Sequence, residues 1–468
     1  MAGLTARLAG VAAAALAFAA QAAPPQWQAK QRELFDKSIA LRSVAGRPEV
    51  TQLAEYLAGE FRKGGFPAAD IQLVPIKGTA SLVVRYRGTG ASGKKPILLI
   101  SHMDVVDALP SDWTKDPFKL TEEGGYFYGR GTSDIKSGVV TLAALFLWLK
   151  ADGYRPDRDL IIAFTGDEET EGEHMATLVR DHRPLIDAEY ALNSDAGGGG
   201  FTPDGKPLGF GFQTSEKMYA DYTLTVHNKG GHSSAPRADN AIYQLAAALT
   251  RVSQHRFSPM INDTTRAYFR AQAKTYGGEL GAAMLRFADN PNDRAAADRI
   301  EAEPGEVGST RTTCVATMLS GGHAHNALPQ TASANVNCRV FPGVSAEATL
   351  AELKRVAADP GVEIAITGTP DPSPPSPLRD DVLGAFTKAV RARHPESPVI
   401  PSMSAGATDG AYLRAGGVPT YGVDGAWGVV PDDMRAHGRD ERLPVKAFYE
   451  DLDHWRDMVT ALAGPPGK

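Results

Sequence analysis

The side chains best suited to chemistry gather in one stretch, Leu160-Ile-Ile-Ala-Phe-Thr-Gly-Asp-Glu-Glu-Thr-Glu-Gly172. Asp167, Glu168 and Glu169 set three carboxylates on consecutive residues directly after an apolar run. Charges so crowded repel one another unless a cation or water relieves them. Alone, such a triplet reads as a solvated acidic turn. It has company, however: His102 follows Ile97-Leu-Leu-Ile-Ser101, and Asp195 follows Tyr190-Ala-Leu-Asn-Ser194. Imidazole and carboxylate donors of this kind suit a divalent ion such as zinc.

Three apolar runs thus each deliver an acid or an imidazole just past their ends. Such runs read as strands buried on both faces of a parallel sheet, whose C-terminal ends share one rim where ligand crevices form. Helical spacing over residues 27–43, 49–63 and 139–150, alternating with strands at 71–76 and 81–86, implies an α/β sheet domain. Residues 106–129 read as a loop.

After residue 213 the pattern changes. A strand at 219–226, a helix at 238–252, strands at 312–319 and 332–341, a helix at 346–358 and a strand at 362–367 make a separate α+β module with an antiparallel sheet. Residues 260–305 read as helical, with no role evident. Pro370-Asp-Pro-Ser-Pro-Pro-Ser-Pro377 is a stiff return linker. The α/β pattern then resumes with a helix at 381–393, a strand at 418–423 and a helix at 445–462. The expected fold class is α/β, with a mostly parallel central sheet in two parts, 27–213 and 378–468, interrupted by an inserted α+β domain at 214–370 and a linker at 371–377.

The 468-residue chain carries a formal charge of -6, with 43% hydrophobic and 22% charged residues, which describes a globular enzyme and disfavours a nucleic-acid binder. A short apolar segment after Arg7, closed by the small-x-small motif Ala20-Gln21-Ala22, has the form of a secretory signal peptide over residues 1–22. The expected protein is therefore exported, periplasmic or secreted, and free of the membrane after cleavage. Cys314 and Cys338 either pair in an oxidising compartment or stay as buried thiols; their spacing is not that of a zinc site.

Ser101-His-Met-Asp-Val-Val106, Gly129-Arg-Gly-Thr-Ser-Asp134, Gly166-Asp-Glu-Glu169 and Met434-Arg-Ala-His-Gly438, in this order and around an inserted module, resemble the M20 family of dinuclear zinc peptidases and deacylases. The secreted branch with N-acyl-amino-acid hydrolases and carboxypeptidase S is the most similar. The resemblance implies two Zn2+ ions, with Co2+ or Mn2+ as substitutes. Asp134 would bridge them, His102 and Asp195 would complete one site, and Glu169 and His437 the other. Asp104 would orient the imidazole of His102. Glu168, its side chain turned away from that of Glu169 in extended chain, would serve as general base toward a metal-activated water.

In the insert, the resemblance makes His232 an oxyanion-stabilising residue supplied across a homodimer. Arg339 and Asn326 would hold substrate and its carboxylate, Gly406 and Thr408 would line the pocket, and Lys217 would be a second carboxylate contact. Aspartate at 195, where desuccinylase relatives carry glutamate, tilts the reading toward peptide or acyl-amino-acid cleavage. The expected function is hydrolysis of the amide next to a terminal amino acid with a free carboxylate, in small peptides or N-acyl amino acids. The alternatives are a dipeptidase or aminopeptidase, or a non-catalytic periplasmic zinc- or peptide-binding protein. His323-Ala-His325 reads as a structural or substrate loop, Glu171-Gly-Glu-His174 lacks zincin spacing, and residues 197–200 read as a flexible turn.

Overall fold

A computed structural model describes residues 22–370 and 372–464, so the leader expected over 1–22 lies outside the described residues except for Ala22. An eight-stranded sheet forms the larger domain. Its spatial order is Ile71–Ile76, Thr79–Tyr86, Leu160–Thr165, Ile97–His102, Tyr190–Phe201, Thr420–Val429, Pro207–Glu216 and Val399–Ser404. Leu160–Thr165, Ile97–His102, Tyr190–Phe201 and Thr420–Val429 run parallel to their neighbours in this series. Every residue of Ile97–His102 and Leu160–Thr165 is buried, as continuous apolar runs in a two-sided sheet require.

Helices cover both faces. Pro25–Ala40, Pro48–Lys63, Lys136–Ala151, Asp380–Arg393 and Val445–Leu462 pack one apolar core, in which Phe35 stacks on Phe448 with centroids 4.6 Å apart. Glu173–Asp181 and Gly410–Ala415 contribute Met175, Leu178 and Leu413 to a smaller core on the other face.

The insert holds a four-stranded antiparallel sheet ordered Thr313–Gly321, Thr331–Val340, Met218–His227, Val362–Thr367, with helices Ala241–Gln254 and Ala346–Ala357 packed on it. Cys314 and Cys338 face each other across adjacent strands and form a disulfide, which decides between the two sequence readings. The segment read as helical is three helices, Asp263–Tyr276, Gly278–Asp289 and Arg294–Glu301, closed around their own core of Phe269, Met284, Phe287 and Ile300. Asn262 starts the first in a reciprocal capping box with Thr265.

The structure corrects several local expectations. Residues 106–129 are not one loop: Thr121–Glu123 and Tyr126–Tyr128 form a hairpin that Arg442–Pro444 extends to three strands. Residues 197–200 are no flexible turn but the far part of strand Tyr190–Phe201, where Gly197 lies so close to the backbone of Gly422 and Asp424 that a Cβ would clash. Strands Pro207–Glu216 and Val399–Ser404 escaped notice because glycine, proline and serine interrupt their apolar alternation.

Candidate metal centre

The three parallel strands Leu160–Thr165, Ile97–His102 and Tyr190–Phe201 are neighbours, so Glu168, Glu169, His102 and Asp195 emerge along one rim. Asp134 reaches it from the turn before helix Lys136–Ala151, and His437 from the loop after strand Thr420–Val429. The ligand atoms form two groups, His102 with Asp134 and Asp195, and Asp134 with Glu169 and His437, each spanning no more than 4.8 Å. Asp134 belongs to both. Its Oδ1 lies 3.3 Å from His102 Nε2, and its Oδ2 lies 3.1 Å from His437 Nε2. Asp195 Oδ1 stands 3.6 Å from His102 Nε2, and Glu169 Oε2 stands 2.9 Å from His437 Nε2.

The donor set fits two divalent cations. His102 Nδ1 faces the backbone carbonyl of Asp104 at 3.0 Å, which places one ring proton there and directs Nε2 into the cluster. Against the cost of burial, Asp195, Asp104 and Asp134 hold the imidazole well above its ordinary value. That Nε2 is fully buried, lacks a hydrogen-bond partner of good geometry, and is ringed by carboxylate oxygens. A buried nitrogen among carboxylate oxygens becomes a metal ligand once an ion displaces its proton.

Charge crowding points the same way. Burial, with Asp195, Asp409 and Glu169 nearby, pushes Glu168 up to about 10. Burial and Asp134 push Glu169 up to about 7, and burial pushes Asp195 up to about 6. Against the cost of burial, the imidazoles of His102 and His437 hold Asp134 below the usual carboxylate range. Its bond to Asp134 lifts His437 to about 9. These shifts are what a cluster of acids shows when protons stand in for cations.

Two expectations are refined. Asp104 faces His102 Nδ1 as expected, but chiefly with its backbone carbonyl at 3.0 Å, its carboxylate oxygen standing at 3.6 Å. The carboxylate also accepts the backbone N–H groups of Glu168 at 3.2 Å and Glu169 at 3.1 Å. Glu168 and Glu169 lie in a turn rather than extended chain, and Glu168 Oε2 comes within 3.8 Å of His102 Nε2.

Glu441 was not anticipated. It is wholly buried and gathers the loop that carries Asp134: Oε1 accepts N–H of Ser133 at 2.7 Å and of Asp134 at 3.0 Å, while Oε2 accepts N–H of Gly131 at 3.1 Å and pairs with Arg130 at 2.7 Å. In the sequence it stands in Arg439-Asp-Glu-Arg442, which looks like any charged surface turn. Asp409, also missed, is buried with Oδ2 accepting the Thr165 hydroxyl, and burial pushes it up to about 8.

A cavity of about 580 Å³ opens beside Glu168, lined among others by Lys217, Tyr219, Asp221, Thr408 and Asp409. Thr408 Oγ1 donates to buried Glu216 at 2.6 Å, and Gly406 N–H to Ser404 Oγ at 3.0 Å. Lys217 is buried, its ammonium donating to the Arg311 carbonyl at 2.7 Å, and burial brings it down to about 8. Arg339 lies 4.7 Å over the ring of Tyr219 and donates to the Ala405 carbonyl at 3.4 Å, next to the cavity rather than in its wall. The structure does not bring His232 or Asn326 into the carboxylate cluster. His232 is exposed on the short pairing with Ala327, its Nδ1 2.7 Å from Ser234 Oγ, and the Asn326 carbonyl accepts the Ser233 N–H at 3.0 Å.

Residues 98–461 match peptidase family M20/M25/M40. The N-fatty-acyl-amino acid synthase/hydrolase PM20D1 of Homo sapiens is 30% identical over 370 residues, 76% of this chain and 71% of that protein. Aminoacylase-1 of Mus musculus is 27% identical over 442 residues, 92% and 95% of the two chains. The solved M20 family metallo-carboxypeptidase Sso-CP2 of Sulfolobus solfataricus shares the fold with a TM-score of 0.67 at 18% identity, over 92% of this chain and 98% of that one.

Proposed function

This chain belongs to peptidase family M20/M25/M40 and is a hydrolase of the metallopeptidase and amidohydrolase type; from that premise we propose an exported dinuclear zinc enzyme that cleaves the amide next to a terminal amino acid with a free carboxylate. Small peptides and N-acyl amino acids are the substrate class, in keeping with the names of the relatives. The observation that carries the reading is the shared carboxylate: Asp134 offers one oxygen to the His102 group and the other to the His437 group, with Glu168 in the cavity wall and 3.8 Å from His102 Nε2.

His102, Asp134 and Asp195 would hold one ion, and Asp134, Glu169 and His437 the other. When bound, the ions supply Lewis acidity toward the scissile carbonyl and the attacking water. Glu168 takes the proton of that water and returns it to the leaving nitrogen. The Asp104 carboxylate fixes the turn that aims Glu168. Lys217 and Arg339 draw the substrate carboxylate toward the insert side of the cavity. A dipeptidase or aminopeptidase would need an acid for a free amine, and Asp221 in the cavity wall is the candidate; its Oδ1 already accepts Nδ2 of Asn335 at 2.9 Å and of Asn337 at 3.0 Å, which favours the carboxylate-directed reading.

Export is supported by the leader motif and by the Cys314–Cys338 disulfide, a bond suited to an oxidising compartment. A homodimer is supported by the edge strand Thr313–Gly321, which leaves Val315, Met318 and Leu319 exposed at 61%, 71% and 72%. In that dimer each protomer lends His232 to the other's site.

The test combines elemental analysis with turnover of N-acyl amino acids and dipeptides, with and without chelator. Glu168→Ala should keep its metal and lose turnover by about 10²-fold or more; unchanged turnover would dismiss the mechanism and leave the binding-protein alternative. Arg339→Ala should impair free-carboxylate substrates more than amidated ones, and equal impairment would reverse the polarity.

A further inference from the structure

The chain enters the fold at one residue. Ala22 is exposed, whereas Ala23 is 4% exposed with its methyl in the main apolar core and its backbone nitrogen 2.6 Å from Asp453 Oδ1. Pro24 and Pro25 then start helix Pro25–Ala40 at once, the Pro24 carbonyl accepting the Trp27 N–H at 2.8 Å. Asp453 sits on the last helix, Val445–Leu462, and is 7% exposed. Burial pushes its carboxyl up to about 6. The charged groups around it are Arg393, at the end of helix Asp380–Arg393, and Arg456 and Asp457 of its own helix. Arg393 is already engaged, donating to Asp457 at 2.7 Å. In an uncut chain this buried carboxylate therefore receives one neutral amide N–H at the point where a cation would satisfy it better.

That nitrogen follows directly on Ala20-Gln21-Ala22, the small-x-small motif at the end of the apolar leader. We propose that hydrolysis of the Ala22–Ala23 peptide bond matures the chain, and that the new α-ammonium of Ala23 is gripped by Asp453. The inference rests on the export reading above. Water adds across the amide: the C–N bond breaks, a C–O bond forms, Ala22 leaves as a carboxylate, and the nitrogen of Ala23 takes up the protons to become an ammonium. The only shift needed is of charge, because the N–H already points at Oδ1. Removal of the leader would then tie the first helix to the last through a buried ion pair, and a buried pair is costly to break because the surviving charge is stranded.

The experiment uses three forms of the full mature chain: one beginning at Ala23 with a free amine, the same chain Nα-acetylated, and one extended by the uncut leader residues Gln21-Ala22. Each is made with Asp453 and with Asp453→Asn. The free-amine form should melt about 3–6 °C above the other two, and this gap should vanish with Asp453→Asn. If that variant does not fold, the free-amine and acetylated forms with Asp453 intact still decide. Equal melting of those two forms, or a gap that survives Asp453→Asn, overturns the clamp. In parallel, N-terminal sequencing of protein exported by cells carrying the whole gene should read Ala23-Pro-Pro; any other start overturns the processing site. Failure of export is seen separately, as full-length protein retained in the cytoplasmic fraction.

Discussion

Glu441 Oε1 accepts the backbone N–H of Asp134 at 3.0 Å, so the residue shared by both ligand groups is steadied by a carboxylate that belongs to neither. Glu441→Gln keeps the volume but loses the charge that pairs with Arg130 and one of the acceptors for the loop amides. Metal affinity or turnover should fall about 10–100-fold. Stability should drop by about 3–5 kcal/mol, because Arg130 is left buried without its partner. Metal content after dialysis and urea denaturation measure the two effects.

Asp104 plays the corresponding part for the general base. Its carboxylate accepts both amides of the Glu168-Glu169 turn, and Asp104→Asn can accept only through its single carbonyl oxygen. The expected outcome is a kcat lowered about tenfold or more with KM little changed, since the turn that aims Glu168 loosens while the cavity wall stays in place. A change confined to KM would contradict this.

Metal binding should release protons. In the metal-free protein Glu169 is raised to about 7 and His437 to about 9, so near neutral pH His437 and part of Glu169 carry protons that ligation must expel. Apparent affinity for zinc should rise from pH 6 to pH 9. Calorimetry in buffers of different ionisation enthalpy should show proton release; heats independent of buffer would contradict the assignment.

His454 should make the protein acid-sensitive. Burial, with Arg393 nearby, lowers its imidazole to about 3, and its Nε2 faces the Val423 carbonyl at 3.0 Å. Between its ordinary value and about 3 the unfolded chain binds a proton that the folded chain refuses, so its contribution is whole above pH 6.5 and is lost as pH falls. Over the range from pH 6.5 to 4 this amounts to at most about 3 kcal/mol. His454→Asn should show a shallower loss of stability over that range than the unsubstituted protein, read from urea midpoints.

Glu168, Glu169, His102 and Asp195 could be read from their place after apolar runs, because metal chemistry restricts donor types. Asp134 and His437 were marked instead by the motifs that carry the family resemblance. His102, Asp134, Glu169, Asp195 and His437 all stand beside strands or loops whose apolar runs or motifs mark them, and all meet at the sheet rim. The supporting residues carry no such mark. Glu441 looks like a surface charge until the fold buries it, and the Asp104 carboxylate could be matched with the Glu168 amide only once the path of the turn was known. His232 and Asn326 illustrate the converse: a motif can name residues, but one chain does not carry them to the metal ligands. Buried apolar strands were equally readable, whereas Pro207–Glu216 and Val399–Ser404 were not, since their place depends on partners distant in sequence.

The position of Thr420–Val429 has a consequence for synthesis. This strand lies between Tyr190–Phe201 and Pro207–Glu216, two strands that meet directly only near their joining turn. A nascent chain that has emerged as far as the insert therefore has a split hairpin with nothing to fill it. Its sheet can close only after some two hundred further residues leave the ribosome, so that an interior strand is the last part laid down and the edges beside it need shielding until then.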